Sequence, residues 1–539
     1  MLKKINNVGI IGGGVSGLSS YYYLRNGLYL SDNPNREIKI NIYEKSNKLG
    51  GNIQTNIFNS NNNNNNKTNN DTSNNNIVVE KGPRSLRAAG KGLNTLELVK
   101  RLGISNDIIF SSKKSNGKFL LIDGKVQEVP MGSLFKIALF SLKYGLISAI
   151  LKEPFQKIPK AVKERDPNYD ESIFDFFSRR LGKSVTQRFI EPFCLGIYAG
   201  DFKKLSIKSC FPAVCKVEPF NGLILGNIFT SAEEKAKYET AKEKFEKSLI
   251  PTKLSLKEVL DKDIDKTGVF SFKENGLSQL IQKFRKNIES DGRTKLHFSS
   301  TIKEISKTNS GAIKIIDESG AAQEFDRLIT TIPFVELAPM FKESDPTLSK
   351  LLEAMNYSSI AVVNFIYKSN EKVSNKIQDK GFGYLISSKE NNPVIGVCFD
   401  SNTFPEFVNN NNNNSTANES IITIMIGGNK GISERNDKWV DVTKSTSEEL
   451  INIASKHLDK YLDIESKPDF TNVQIYNNGI PHYEVGHQKL IDEINKHIYS
   501  NYSNTLLLGG NSLEGVGIND AIFKSKTLIH SLGLYKKVK

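Results

Sequence analysis

The stretch from Val8 to Gly17 reads VGIIGGGVSG, an apolar run that passes directly into glycines. Few local structures accept such a run. It predicts a short buried strand, a tight glycine turn and the helix Leu18–Asn26. Gly12, Gly14 and Gly17 stand at the G-x-G-x-x-G spacing. Gly12 permits the turn, Gly14 lets a pyrophosphate approach the backbone, and Gly17 lets the helix lie close on the sheet. With Gly13, Val15 and Ser16, these residues would offer free N–H groups and the positive end of a helix to phosphates. The spacing alone also fits a glycine turn with no ligand, so its surroundings matter. A second strand, Ile38–Tyr43, follows and ends in Glu44. An acid at that place accepts hydrogen bonds from a ribose. Glu44 falls 27 residues after Gly17, later than the usual figure of about 20, and the polar loop Ser31–Arg36 accounts for the excess.

After Glu44 the chain reads KSNKLGGNIQT, and near its end Thr505–Gly517 reads TLLLGGNSLEGVG. The first resembles the segment that follows the ribose acid in the FAD-containing amine oxidase superfamily. The second resembles that superfamily's C-terminal strand, glycine turn and helix, which close over the flavin ring. Two such ends, separated by almost the whole chain, imply one FAD domain built from distant segments.

The length of 539 residues allows two or three domains. The formal charge of +14 suits either a solubilising surface or an anionic membrane or substrate. Nucleic acid is not expected, because zinc-finger spacing, an RNA-binding aromatic signature and a long basic helix are all missing. Cys194, Cys210, Cys215 and Cys398 form no C-x-x-C pair, so no metal is expected and free thiols are. His482 and His487 stand unaccompanied. The first strand begins so near Met1 that neither a secretory signal nor a cleavable presequence is expected. The asparagine-rich stretches 59–76 and 409–414 cannot bury enough apolar surface to fold and are expected to be disordered insertions.

Met131–Leu151 is the most apolar run of the chain, interrupted by Lys136 and Lys143. Two lysines near its middle make a simple span costly. It fits a buried helix, or, as we prefer, a helix pair whose apolar face, including Phe140 and Leu146, dips into one leaflet. From Met131 to Arg165 there are seven Lys/Arg against two Asp/Glu, which favours an anionic lipid surface. Asp175–Leu205 reads as helical with a break at Gly196–Gly200, and Phe220–Ser255 as a lysine-rich helix. Lys118–Pro130 reads as a hairpin turning at Asp123-Gly124. Ser359–Tyr367, Phe382–Ser387, Val394–Asp400 and Ile421–Ile426 read as strands of one sheet, and Ile480–Leu490 as a turn and helix start.

GGGVSGL, EKSNKLGG, EKGPRSLR, KSCFP, AVVNFIY, KGFGYLI, IPHYEVGHQKL and GGNSLEGVGINDAI together resemble the oxygen-dependent protoporphyrinogen oxidases of mitochondrial and plastid type, from end to end. The resemblance implies an α/β fold. A Rossmann-like FAD-binding domain would be assembled from 1–110, 270–333 and 491–539. An α+β substrate domain with a mixed sheet would come from 111–130 and 334–490, and an α-helical membrane-binding domain from 131–255. It implies one noncovalent FAD and no metal. Protoporphyrinogen IX would become protoporphyrin IX in three two-electron oxidations, with O2 as acceptor and hydrogen peroxide as by-product. It also implies a peripheral site on the mitochondrial inner membrane, a homodimer and delivery of product to ferrochelatase. Carried over by position, Glu44, Lys45, Asn52, Gly82, Pro83, Arg84, Ser85, Ile302, Asn511, Val516, Gly517 and Ile518 would line the cofactor beside Gly12–Gly17. Phe382, Gly383, Leu385 and Ile480 would sandwich the macrocycle, with Gly383 letting a flat ring approach. At the position where the family commonly has an arginine for a propionate, this chain has Lys118, which keeps the charge and loses the two-pronged geometry. Lys118 equally fits a solvated surface lysine. No catalytic side chain is expected, since hydride passes to the flavin. The competing readings are another FAD-dependent amine or polyamine oxidase, and a membrane-docked flavoprotein without catalysis.

Overall fold

A computed structural model describes residues 5–26, 38–59, 76–130, 133–164, 166–218, 232–233, 236, 239–240, 268–408, 419–432 and 436–532. The expectations for the two asparagine-rich stretches and for nearly all of 220–255 concern residues outside this set, except that Asn59 and Asn76, taken as the ends of a disordered insertion, pair as strand residues.

Short apolar strands form the first sheet. In spatial order they are Thr294–His297, Lys39–Tyr43, Asn7–Ile11, Arg327–Thr330 and Leu506–Leu508, every pair parallel. Such strands read as continuous hydrophobic runs because both faces are covered. The helix Val15–Asn26 covers part of one face and starts inside the glycine motif, three residues before Leu18. Its small residues allow close packing on the C-terminal helix Ile518–Ser531, where the Ser16 and Ser525 hydroxyls meet at 3.2 Å.

The second sheet has seven strands in the order Phe470–His482, Asn356–Tyr367, Ser420–Gly428, Val394–Phe399, Gly383–Ile386, Lys118–Ile122 and Lys125–Val129. Only Gly383–Ile386 and Lys118–Ile122 run parallel, so the sheet is mixed. The hairpin turns at Asp123 (φ 52°) and Gly124 (φ 75°), the geometry Asp-Gly favours. The helix Ser447–Leu462, closed at its start by a Thr446/Glu449 capping box, covers one face. The other face looks towards the first sheet's loops. Ile480 corrects the sequence reading: it lies in the 13-residue strand Phe470–His482, paired with Ser358, and the helix begins at His487. Pro481 is tolerated because this is an edge strand.

Between Ser133 and Val217 short helices predominate among the described residues. Leu134–Lys143 and Leu146–Phe155 meet at 90°, hinged at Gly145 with φ 70°. Leu134, Phe135, Leu142, Leu151 and Phe155 are 59–84% exposed. Phe140 and Leu146 turn inward instead, against Tyr144 and Phe189, which corrects the choice of outward residues. Among the described residues no single helix is long and apolar enough to cross a membrane. Further on, the helical run ends at Tyr198 rather than Leu205. Ala199 takes φ 44° and its carbonyl accepts the Asn429 N–H, while the Asp201 N–H donates to His482 Nε2 at 3.0 Å. These tertiary bonds replace the next helical turn.

Candidate active site

The glycine turn is fixed from all sides but one. Gly12 has φ 108°, and a Cβ there would lie 2.7 Å from Thr331 Oγ1. A Cβ on Gly17 would stand 1.9 Å from the Gly12 carbonyl, and one on Gly13 would stand 2.6 Å from Leu49 Cδ2. At Gly14 the nearest atom would be Gly51 Cα, 4.0 Å away. Gly12, by its positive φ, and Gly17, by its contact with backbone, are therefore required by the protein's own packing, and a side chain at Gly13 would have to displace Leu49 and Glu44. The space beside Gly14 is open, as a cradle for a bulky group needs.

Glu44 holds the end of the second strand. Its two carboxylate oxygens accept the Gly13 N–H at 2.8 Å and the Ser46 N–H at 2.9 Å, leaving lone pairs for a sugar hydroxyl. Gly50 (φ 117°) and Gly51 (φ 57°) follow, and the Gly50 N–H donates to the Gly13 carbonyl at 2.9 Å. The Gly-Gly pair thus lies on the phosphate turn. Asn52 Nδ2 donates to the Gly479 carbonyl at 3.4 Å, and its own carbonyl accepts from the Tyr476 hydroxyl at 3.3 Å. Lys45 points outward and pairs with Glu336 at 3.0 Å.

Gly82-Pro83-Arg84-Ser85 crosses beneath the second sheet. The Arg84 guanidinium is buried, with Nε 3.1 Å from Asp400 Oδ1. Asp400 also accepts the Thr423 hydroxyl at 2.5 Å, and Asn364 bridges Thr423 and the Glu80 carbonyl. Burial pushes the Glu80 carboxyl up to about 8, partly held back by the Leu277 N–H and the Thr55 hydroxyl. Burial raises Asp400 as well, against the pull of Arg84. A knot of buried polar groups thus fastens the second sheet to the hairpin of Thr55–Asn59 and Asn76–Glu80 and to the loop that follows it.

The C-terminal segment arrives beside the same turn. Asn511 accepts the Tyr483 hydroxyl. Val516 packs in the core, Gly517 precedes the helix, and Ile518 opens it. The Ile302 side chain is buried in the core beside Tyr43 and Phe325, so only its backbone is free to line a cofactor.

Strand register builds the face of the second sheet that adjoins this cradle. Gly383, Cys398, Thr423, Asn364 and Asn472 form one row across five strands. The next row, on the same face, is Leu385, Gly396, Met425, Val362 and Gln474. Leu385 shares its apolar cluster with Leu120 and Ile122, whereas Tyr384 and Leu121 pack on the opposite face. Alternation therefore puts Lys118, exposed at the end of its strand, on the face of Leu385, beside Gly383. The glycine at 383 has another cause than the one expected. With φ 139°, a Cβ would sit 2.1 Å from the Val397 carbonyl, so the neighbouring strand, rather than a ligand, demands glycine. Phe382 is half-buried in the turn before it, its carbonyl accepting the Phe399 N–H.

Three residues here escaped the sequence reading. The helix Glu191–Tyr198 buries Leu195 and Tyr198 but leaves Phe193 and Ile197 half-exposed. Gly196, on the same side, lies against Leu385, where a Cβ would come within 2.7 Å. The third residue, Tyr476, packs against the same apolar cluster around Leu195 and Ile360 as Ile480 and Met425 do. The i, i+4 spacing of Phe193 and Ile197 was visible, but the half-open side they share was not.

A family model described as flavin containing amine oxidoreductase matches residues 15–524. The chain is 61% identical to the protoporphyrinogen oxidase of Dictyostelium discoideum, over 98% of this chain and 99% of the relative. It is 26% identical to the coproporphyrinogen III oxidase of Bacillus subtilis, over 97% of each. The chain belongs to the flavin-containing amine oxidoreductases. In fold it is similar to a putative protoporphyrinogen oxidase structure from Exiguobacterium sp. 255-15, with a TM-score of 0.72 at 19% identity, covering 98% of this chain and 99% of that one.

As a member of this family the chain uses FAD, and its residues fit that cofactor. The open cradle at Gly14 and the free N–H groups of the following helix suit a pyrophosphate. Arg84 Nη2 is buried with no hydrogen-bond partner in the protein, as expected of a donor facing a polar cofactor edge. The two rows of the second sheet lie across from this cradle, joined to it through Asn52, Gly82 and Arg84.

Proposed function

We propose that this chain oxidises protoporphyrinogen IX to protoporphyrin IX in haem biosynthesis, with O2 as the electron acceptor. The observation that carries this reading is 61% identity, from end to end, to a protoporphyrinogen oxidase, in a chain whose second sheet sets Leu385, Met425 and Ile480 on the face that adjoins a flavin cradle. Bound FAD supplies two-electron chemistry, accepting hydride from the substrate and passing electrons to oxygen. Gly12–Gly17, Glu44, Asn52, Arg84 and the Val516–Ile518 turn hold and orient it. Leu385, Met425, Ile480 and Phe193 give a macrocycle an apolar surface and exclude water. Lys118, at the rim of that face, pairs with a propionate. Removing six hydrogens from the substrate consumes three O2 and releases three H2O2. An assay of the purified protein should give three peroxides per porphyrin formed from protoporphyrinogen IX, and little with coproporphyrinogen III or an amine. Peroxide from amines alone would overturn the reading.

We also propose that the bent helix pair dips its exposed Leu134, Phe135 and Leu142 into one leaflet of an anionic membrane, the inner membrane of the mitochondrion; their exposure supports this reading. Changing all three to Asp should cut sedimentation with anionic vesicles by about tenfold or more, while charging the inward Phe140 should instead lower stability. Sedimentation unchanged by the triple substitution would remove this surface from the account.

A further inference from the structure

One aromatic ring reaches from the second sheet to the flavin-bearing loop. Tyr476 stands opposite Ile360 in the edge strand Phe470–His482. Its ring packs against the apolar cluster of Leu195, Ala199, Ile360, Ile395 and Ile432, as Met425 and Ile480 also do, yet it is only half-buried. Its hydroxyl donates to the Asn52 carbonyl at 3.3 Å. Asn52 directly follows the Gly-Gly pair that rests on the phosphate turn. Gly82 completes the junction: a Cβ there would come within 2.2 Å of the Asn52 carbonyl oxygen and 2.9 Å of the Tyr476 hydroxyl. The ring is thus held at both ends, by strand pairing at its backbone and by a hydrogen bond at its tip.

We propose that Tyr476 is a positioning and specificity residue. Its ring forms the end wall of the substrate slot and sets how far a flat tetrapyrrole slides along the sheet towards the flavin. This rests on the reading of the slot under Proposed function. Reaction requires the bridging carbon close to its acceptor, within about 3–3.5 Å, and a displacement of about 1 Å costs roughly a hundredfold. A rigid ring with two rotatable bonds suits such a stop, since little freedom is lost in fixing it. The hydroxyl matters because it prevents the ring from swinging away from Asn52. An end wall also discriminates by size. Coproporphyrinogen III carries propionates where protoporphyrinogen IX carries vinyl groups, so it is longer at that edge.

The test uses the FAD-loaded enzyme and its Tyr476→Phe and Tyr476→Ala variants. FAD content, melting temperature, KM and kcat are measured with protoporphyrinogen IX, and kcat/KM with coproporphyrinogen III. Tyr476→Phe should keep its FAD and kcat and raise KM about threefold, the modest loss of one hydrogen bond. Tyr476→Ala should keep FAD, lose about a hundredfold in kcat/KM for protoporphyrinogen IX, and shift the ratio of the two substrates towards coproporphyrinogen III by about tenfold. Values within twofold of wild type for both variants would overturn the proposal. So would an equal loss with both substrates that tracks loss of FAD or melting temperature, which marks a residue that only supports the fold. A wild-type enzyme inert to both porphyrinogens would instead sink the functional reading, and the end wall with it.

Discussion

The two halves of the site are made of different material. The nucleotide half is backbone: glycines at fixed spacing, two N–H groups held by Glu44, and a helix start. Gly12 and Gly17 leave no room for a Cβ because the protein itself fills that space, Gly13 is crowded by Leu49 and Glu44, and Gly14 faces an opening. The proposed substrate half is side chains: Leu385, Met425, Ile480, Phe193 and Tyr476 come from three strands and one helix, and strand register together with helix packing brings them to one region. Backbone sites tolerate almost no change, whereas side-chain sites can be tuned residue by residue. The knot of Glu80, Arg84, Asp400 and Asn364 lies where the halves meet.

That contrast breaks first at Gly14. Gly14→Val should abolish flavin binding without unfolding the protein, because its branched side chain enters the open cradle rather than the core. A purified variant with full yellow colour would show that the cradle is not where the pyrophosphate lies. Arg84→Met should come next. It strands the Asp400 carboxylate in a buried site and should cost about 3–5 kcal/mol, measured by chemical denaturation. The double variant Arg84→Met/Asp400→Leu should regain most of that, and an equal loss in both would mean the pair is not coupled. The smallest effect belongs to the exposed Lys118. Lys118→Ala should raise KM for protoporphyrinogen IX by about three- to tenfold with kcat and FAD content unchanged, a charged hydrogen bond discounted for exposure. An unaltered KM would return Lys118 to the solvent.

The same contrast explains what could be read from the chain. The glycine spacing, the acid after the second strand and the L-G-G extension announced the nucleotide half, since glycine positions record backbone demands directly. The apolar run broken by Gly145 announced the bent helix pair, though not which residues point outward. Phe140 and Leu146 look like their exposed neighbours in sequence, and only packing on Tyr144 and Phe189 separates them. The substrate half left fainter marks. Ile480 sits beside a proline in a polar stretch that reads as a turn, yet pairing along Asn356–Tyr367 makes it a strand. Tyr476 and Asp400 gain their meaning from Asn52 and Arg84, partners far along the chain. The glycine at 383 answers to the Val397 carbonyl of the neighbouring strand rather than to a flat ligand ring.

The most direct measurement mixes the oxidised, FAD-loaded protein with protoporphyrinogen IX in the absence of oxygen and follows the flavin absorbance. Bleaching within the turnover time, with no bleaching by a mono- or polyamine, is the result expected if a tetrapyrrole lies against the flavin between the two sheets. A flavin that stays yellow with the porphyrinogen and bleaches with an amine would contradict it.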